Sequence, residues 1–257
     1  MTDGPAEARP ASTLILLRKV QNHPLQTLMV VRQKAIAFAG GAIVFPGGRV
    51  DASDHAHAGE EAGDAFKIAA IRETFEESGI LLARRSSTGD MVSKSTAGRL
   101  QQQYRDAVCK GELAFADMLR AEGLACAVDR LVPFAHWITP PSRSKRFDTH
   151  FFVAPYAEDQ HVAHDDGEVT KAMWIAPPVL LAAARDNKYK LVFATRLNVE
   201  RLCAFASVDE AIETTRNTPV VTVRPESVET PEGRMVRIPA EAGYGGALFL
   251  SNDPVSI

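Results

Sequence analysis

The chain has 257 residues, 46% hydrophobic and 24% charged, with a formal net charge of −3. That length can bury a substantial core as one large domain or two small ones, and the absence of a dominant basic balance argues against a nucleic-acid binder. Cys109, Cys126 and Cys203 are too scattered for a disulfide framework or a CxxC metal site, and no h-region or long apolar run points to export or a membrane span, so a cytoplasmic protein in a reducing compartment is expected.

Residues 1–11 are polar and expected to be disordered. Strands are predicted over 13–17 and 26–32, joined through the turn Asn22-His23-Pro24 into an antiparallel hairpin. A loop of small residues over 35–41 leads to a strand over 42–45 that delivers Pro46-Gly47-Gly48 as a glycine turn. The polar stretch 51–63, with His55 and His57, reads as a solvated loop.

Residues 65–80 have helical periodicity, with Phe66, Ile68, Ala69, Ala70 and Ile71 on the apolar side and Gly79 at the C-terminal end. One turn later Glu73 faces both Glu76 and Glu77, and like charges at that spacing cost a few tenths of a kcal/mol per pair. A hard divalent cation would convert this repulsion into a binding site, because it takes carboxylate oxygens.

A short strand over 81–84 and a polar loop over 85–95 follow. Helices are predicted over 96–110, with Leu100, Tyr104 and Val108 on one face, and over 112–122, with Leu113, Phe115, Ala116 and Leu119. They fit either an extension of the core or a lid for part of a ligand. Next come an apolar run over 131–139, Pro140-Pro141, the cations Arg143, Lys145 and Arg146, and a strand over 147–154. Alternation in that strand puts Arg146, Asp148, His150 and Phe152 on one face and Phe147, Thr149, Phe151 and Val153 on the other. Asp165-Asp166-Gly167-Glu168 precedes a strand over 169–175, followed by helices over 180–188, 197–206 and 208–217. Segments 220–223 and 235–238 flank Thr230-Pro231-Glu232-Gly233 as a predicted hairpin, and the Gly-rich tail around Tyr244 is expected to be packed loop.

The glycine turn followed by Arg72-Glu73-x-x-Glu76-Glu77-x-Gly79-Ile80 resembles the Nudix hydrolase box, G-x5-E-x7-R-E-U-x-E-E-x-G-U with U apolar. Counted back from Arg72, the first acid of the box falls at Asp64; the apolar position after Arg-Glu is Thr74. The gap from Gly48 to Asp64 is ten residues longer than the box allows, so 49–63 reads as an inserted loop. Leu28, Arg32, Gly41 and Phe45 to Gly48 resemble the pattern that precedes the box in coenzyme A-directed Nudix enzymes, with Gln33 and Ala37 as departures; Ala37 replaces a phosphate-facing arginine. AHWITPP over 135–141 and RFDTHFF over 146–152 are similar to the acyl-CoA diphosphatase branch of the family.

This resemblance, which spans roughly 13–205, implies an α+β Nudix fold: a mixed β-sheet sandwiched between helices. A helical insertion at about 96–123 would interrupt a domain over 12–206, with a C-terminal helix, hairpin and tail over 207–257 packed on it. It implies Mg²⁺ or Mn²⁺ held by Glu73, Glu76, Glu77 and the Gly48 carbonyl. Arg72 would orient Glu76, and Glu76 or Glu168, with Asp166 behind Glu168, would activate water. Arg32, Gly47, Arg143 and Arg146 would meet a small-molecule nucleoside diphosphate substrate, since guanidinium groups grip phosphates bidentately. The expected substrate is coenzyme A or an acyl-CoA, cleaved to 3',5'-ADP and a 4'-phosphopantetheine. ADP-ribose, nucleotide sugars and dinucleoside polyphosphates stay open, as does a homodimer. A ligand-sensing module without turnover would be expected to have lost box carboxylates, and all three are present.

Overall fold

Leu14, Ile15, Leu16 and Leu17 are all fully buried, which fits a strand with both faces covered. They lie in β1 (Arg9–Arg18), the middle of a mixed sheet in this computed structural model, which describes residues 6–21, 23–33, 41–57, 62–156, 162 and 169–250. The first half of the chain adds β2 (Gln26–Arg32), β3 (Ile43–Val44), β4 (Gly47–Arg49), α1 (Ala52–His57), α2 (Ala62–Ser78), β5 (Ala83–Arg85), α3 (Lys94–Cys109) and α4 (Phe115–Ala121). The second half adds β6 (Leu124–Cys126), β7 (Val132–Ile138), β8 (Phe147–Pro155), β9 (Val169–Ile175), α5 (Pro177–Arg185), α6 (Phe193–Leu202) and α7 (Val208–Arg216). The chain continues through β10 (Thr222–Val223), β11 (Glu226–Thr230), β12 (Gly233–Arg237) and β13 (Leu248–Leu250).

The sheet runs β10-β7-β8-β1-β2-β3, with β4 also on β1 and β9 on β2. β1 and β8 pair in parallel from Arg9 opposite Phe147 to Leu17 opposite Pro155. Alternation along β1 sends Leu14 and Leu16 into one core and Ile15 and Leu17 into another. The first core is closed by α2, α3 and α4 through Ile71, Phe75, Leu100, Phe115 and Leu119. The second is closed by α5, α6 and α7 through Leu180, Leu197 and Ala211. The sheet is therefore sandwiched between helical layers, as the resemblance implied.

Four expectations are corrected. β1 begins at Arg9, inside the stretch expected to be disordered, because β8 supplies backbone partners for it. Gly47 and Gly48 form strand β4 along Ser12 and Thr13 rather than a turn. The stretch 51–63, expected to be solvated loop, contains α1 with its buried Asp54. The hairpin around Pro231 pairs β11 with β12, while the 220–223 segment supplies β10, which joins β7 in the main sheet.

α3 and α4 bury their apolar faces against α2, which gives them the core-extending role. Arg105 of α3 is buried and donates to the carbonyl oxygens of Phe75 (3.1 Å), which the Gly79 N–H also reaches, and of Glu76 (2.9 and 2.6 Å), in the turn where α2 runs out of intrahelical donors. Arg105→Ala is expected to lower the unfolding free energy by about 1–3 kcal/mol, the cost of removing charged donors from the Glu76 carbonyl. Urea titration checks this, and an unchanged midpoint would contradict it.

Candidate active site

The glutamate helix α2 lies against β4, and contacts at atomic scale explain both glycines there. A side chain at Gly47 would overlap the Ser12 carbonyl, and one at Gly48 would overlap the Glu73 carboxylate. The Gly47 N–H donates to Glu77 Oε2 at 2.9 Å, tying the strand to the helix. At the far end Gly79 closes α2 with a φ of 74°, its N–H donating to Phe75 O at 2.8 Å. The apolar box position held by Thr74 is accommodated in the core because its hydroxyl donates to Ala70 O at 2.7 Å.

Arg72 is the hub. Its Nε and Nη2 donate to the two oxygens of Asp54, each at 3.0 Å; Nη1 donates to Glu73 Oε1 (3.0 Å) and Glu76 Oε1 (3.1 Å), and Nη2 also to Arg49 O at 2.8 Å. Arg72 and Asp54 are 6% and 2% exposed, so this is a buried ion pair whose remaining donors orient the glutamates. Burial opposes the Arg72 charge, yet the hydrogen bond with Asp54 and the charges of Glu73, Glu76 and Asp54 outweigh it and raise its pKa.

This arrangement corrects the sequence alignment. Asp64 pairs with Lys67 at 3.0 Å and does not join the hub; Asp54 does. Counted forward from Gly48, Asp54 stands where G-x5-E places the first acid, so the extra ten residues fall after it and before Arg72. The signal was in the spacing, at its other end.

Burial pushes the Glu73 carboxyl from the ordinary 4.5 up to about 7, with Arg72 opposing and Glu76 assisting. Glu76 is raised in the same direction, again by burial against Arg72. Below the ordinary value both forms of the chain are protonated; between 4.5 and about 7 the folded chain holds the extra proton, so Glu73 contributes stability that is lost as pH rises through its folded pKa. A cation needs the deprotonated form, so divalent-cation affinity measured by calorimetry is expected to weaken as pH falls below about 7. Equal affinity on both sides of that pH would contradict the expectation.

The glutamates line a cleft of about 960 Å³ that Arg32, Arg49, Lys145 and Arg146 also line. Carboxylates beside a close-packed glycine suit a hard cation, and cations lining the same cleft suit phosphate. Arg146 is itself engaged, donating to the carbonyls of Thr139 (3.0 Å) and Ala6. An apolar pocket of about 200 Å³ adjoins the cleft, lined by Phe45, Trp137, Phe147, Phe151 and Phe193, with Arg143 on its lining. Thr13, Arg32, Gly47, Phe147 and Thr149 line both spaces. Tyr244 from the tail accepts from Trp137 Nε1 at 3.0 Å and donates to Asn198 Oδ1 at 2.7 Å, fixing this wall from behind. Glu168, Asp166 and Ala37 lie outside the described residues. His55 and His57 take no part in the cleft; among the described residues, His136, Asp148 and His150 bring one potential ligand atom each within 4.8 Å of one another. The strand alternation had placed two of these on one face without giving them a role.

The family model for the NUDT19 Nudix domain matches residues 59–202. The chain is 30% identical over 156 residues to a Xenopus laevis protein named acyl-coenzyme A diphosphatase NUDT19, covering 57% of this chain and 41% of that one. The Homo sapiens protein of the same name is 30% identical over 155 residues, with the same coverage. The chain thus spans about half the length of the curated relatives it matches. A crystal structure of a NUDIX hydrolase from Alicyclobacillus acidocaldarius superposes with a TM-score of 0.72 at 30% identity, covering 83% of this chain and 99% of that one.

Proposed function

The chain belongs to the Nudix hydrolase family, in the branch of the NUDT19 Nudix domain, and from that membership we propose that it hydrolyses the diphosphate linkage of coenzyme A or an acyl-CoA. The observation that carries the reading is that carboxylates and cations line one cleft and that an aromatic pocket adjoins it through Arg32, Gly47 and Phe147. The diphosphate would lie between Glu73, Glu76 and Glu77 on one side and Arg32 and Lys145 on the other. A purine would stack among Phe147, Phe151 and Trp137, with Arg143 beside it for a ribose phosphate.

Glu73, Glu77, Glu76 and the Gly48 carbonyl would hold Mg²⁺ or Mn²⁺, which when bound neutralises phosphate charge and makes water more acidic. The residues themselves supply orientation. Gly47 N–H fixes Glu77, and Arg72 fixes Glu73 and Glu76 through bonds anchored on Asp54. Glu76, whose carboxylate Arg72 orients through Nη1, would be the general base that takes the proton of the attacking water. The reducing, cytoplasmic setting expected from the scattered cysteines fits such a substrate, and among the described residues no helix is long and apolar enough to cross a membrane.

Product masses after incubation with Mg²⁺ or Mn²⁺ and coenzyme A, acetyl-CoA, ADP-ribose, nucleotide sugars or diadenosine polyphosphates test the proposal. Preferential release of an adenosine bisphosphate and a phosphopantetheine from coenzyme A or its thioester is the expected result. Preference for ADP-ribose would overturn the substrate, and metal binding without turnover of any of them would overturn hydrolysis in favour of sensing. Arg143→Ala is expected to raise KM for coenzyme A about tenfold with little change in kcat, as fits one charge-assisted hydrogen bond to a part of the substrate that does not react. An unchanged KM would remove Arg143 from the site.

A further inference from the structure

The motif residues His136 and Asp148 have no part in the diphosphate cleft, yet they pair across the main sheet: His136 Nε2 lies 2.5 Å from Asp148 Oδ1. β7 and β8 run antiparallel with His136 directly opposite His150, and Asp148 stands two residues before His150 on the same face. Three potential donors therefore share one rigid pleated surface. The opposite face of β8 carries Phe147 and Thr149 into the cleft.

A cross-strand hydrogen bond accounts for His136 and Asp148. It leaves His150 unexplained, because His150 Nε2 is 3.9 Å from Asp148 Oδ1, beyond hydrogen-bond reach. The His150 ring is held in place between two neighbours, stacked on His136 at 4.1 Å and tilted against Phe66 of α2 at 4.3 Å. One ligand atom from each of the three residues lies within 4.8 Å of the others. A four-coordinate zinc ion with bonds of about 2.0 Å keeps its donors roughly 3.3 Å apart. The separations of 2.5 and 3.9 Å from Asp148 Oδ1 lie on either side of that spacing.

Two more features belong to such a site. His136 Nδ1 is 2.8 Å from Thr222 Oγ1 on β10, the outer contact that holds a ligating imidazole in one orientation. The side chains of His136, Asp148 and His150 are 17%, 35% and 37% exposed, which leaves room for a water as fourth ligand. We propose that His136, Asp148 and His150 bind one zinc-class transition-metal ion, separate from the glutamate cluster and fastening β7 to β8 behind the cleft wall. Two imidazoles and a carboxylate select zinc, cobalt, nickel or copper, whereas the all-oxygen glutamate cluster suits magnesium.

Cobalt(II) titration of the full chain tests this, because nitrogen-ligated four-coordinate cobalt absorbs far more strongly in the visible than octahedral cobalt in an all-oxygen site. The expected result is a strong d–d band that saturates at one equivalent, persists in Glu73→Gln and is displaced by zinc. His136→Ala and His150→Gln are expected to abolish it, and Thr222→Val to weaken binding roughly tenfold. Circular dichroism and thermal melting without metal show whether each variant is folded, and Asp148→Asn, which preserves shape, supplies an independent loss. A missing band, a band indifferent to both histidine changes in folded variants, or a band lost with Glu73→Gln would overturn the proposal.

Discussion

Replacement of Glu77 by Gln is expected to lower kcat by about three orders of magnitude while the protein stays folded, since each 1.36 kcal/mol of lost transition-state stabilisation is a factor of ten and a cation site acts through several kcal/mol of charge stabilisation. The geometry separates charge from shape. Glu77 is 7% exposed and accepts the Gly47 N–H at 2.9 Å. A glutamine amide can turn its oxygen to the same N–H, so the contact between β4 and α2 survives. What disappears is the negative charge beside Glu73 and Glu76. Steady-state rates at saturating Mg²⁺, with a thermal melt of the same sample, check the expectation; a near wild-type rate in a folded variant would show that Glu77 does not hold a cation.

That prediction depends on residues close together in the chain, and such residues are the ones the sequence makes legible. Glu73, Glu76 and Glu77 lie within about one turn of a helix whose apolar side is local, so spacing alone places their carboxylates together. Leu14 to Leu17 and the strand from Gln26 to Arg32 are equally local, being apolar runs of strand length. Features set by distant partners are harder to read. Gly47-Gly48-Arg49 has no strand propensity, and it is extended because Ser12 and Thr13 offer it a ladder. Glu226–Thr230 is nearly all polar, so hydrophobic alternation passes over it even though the turn at Pro231 was recognised. His136 and Asp148 stand on different strands, and their closeness depends on the register across a β-bulge near Pro133.

The same distinction bears on the acid that anchors Arg72, and two substitutions separate the alternatives. Asp54→Ala is expected to cost about 3–5 kcal/mol, because it leaves a buried guanidinium without its bidentate partner. Asp64→Ala is expected to change stability by less than about 1 kcal/mol, since it removes one half-buried local pair with Lys67 and leaves no buried charge unpaired. Only the first should also weaken cation binding. With Asp54 gone, the Arg72 guanidinium is free to swing toward Glu73 and Glu76, which it already touches at 3.0 and 3.1 Å, and to compete with a cation for their oxygens. Urea unfolding and Mg²⁺ calorimetry on the two variants give the comparison. Equal stability losses, or a larger loss from Asp64→Ala, would return the first acid of the box to Asp64 and place the insertion before it. The expected asymmetry would show that the ten extra residues enter between an acid and an arginine whose pairing survives the separation, because α1 brings Asp54 back to the side of α2 that bears Arg72.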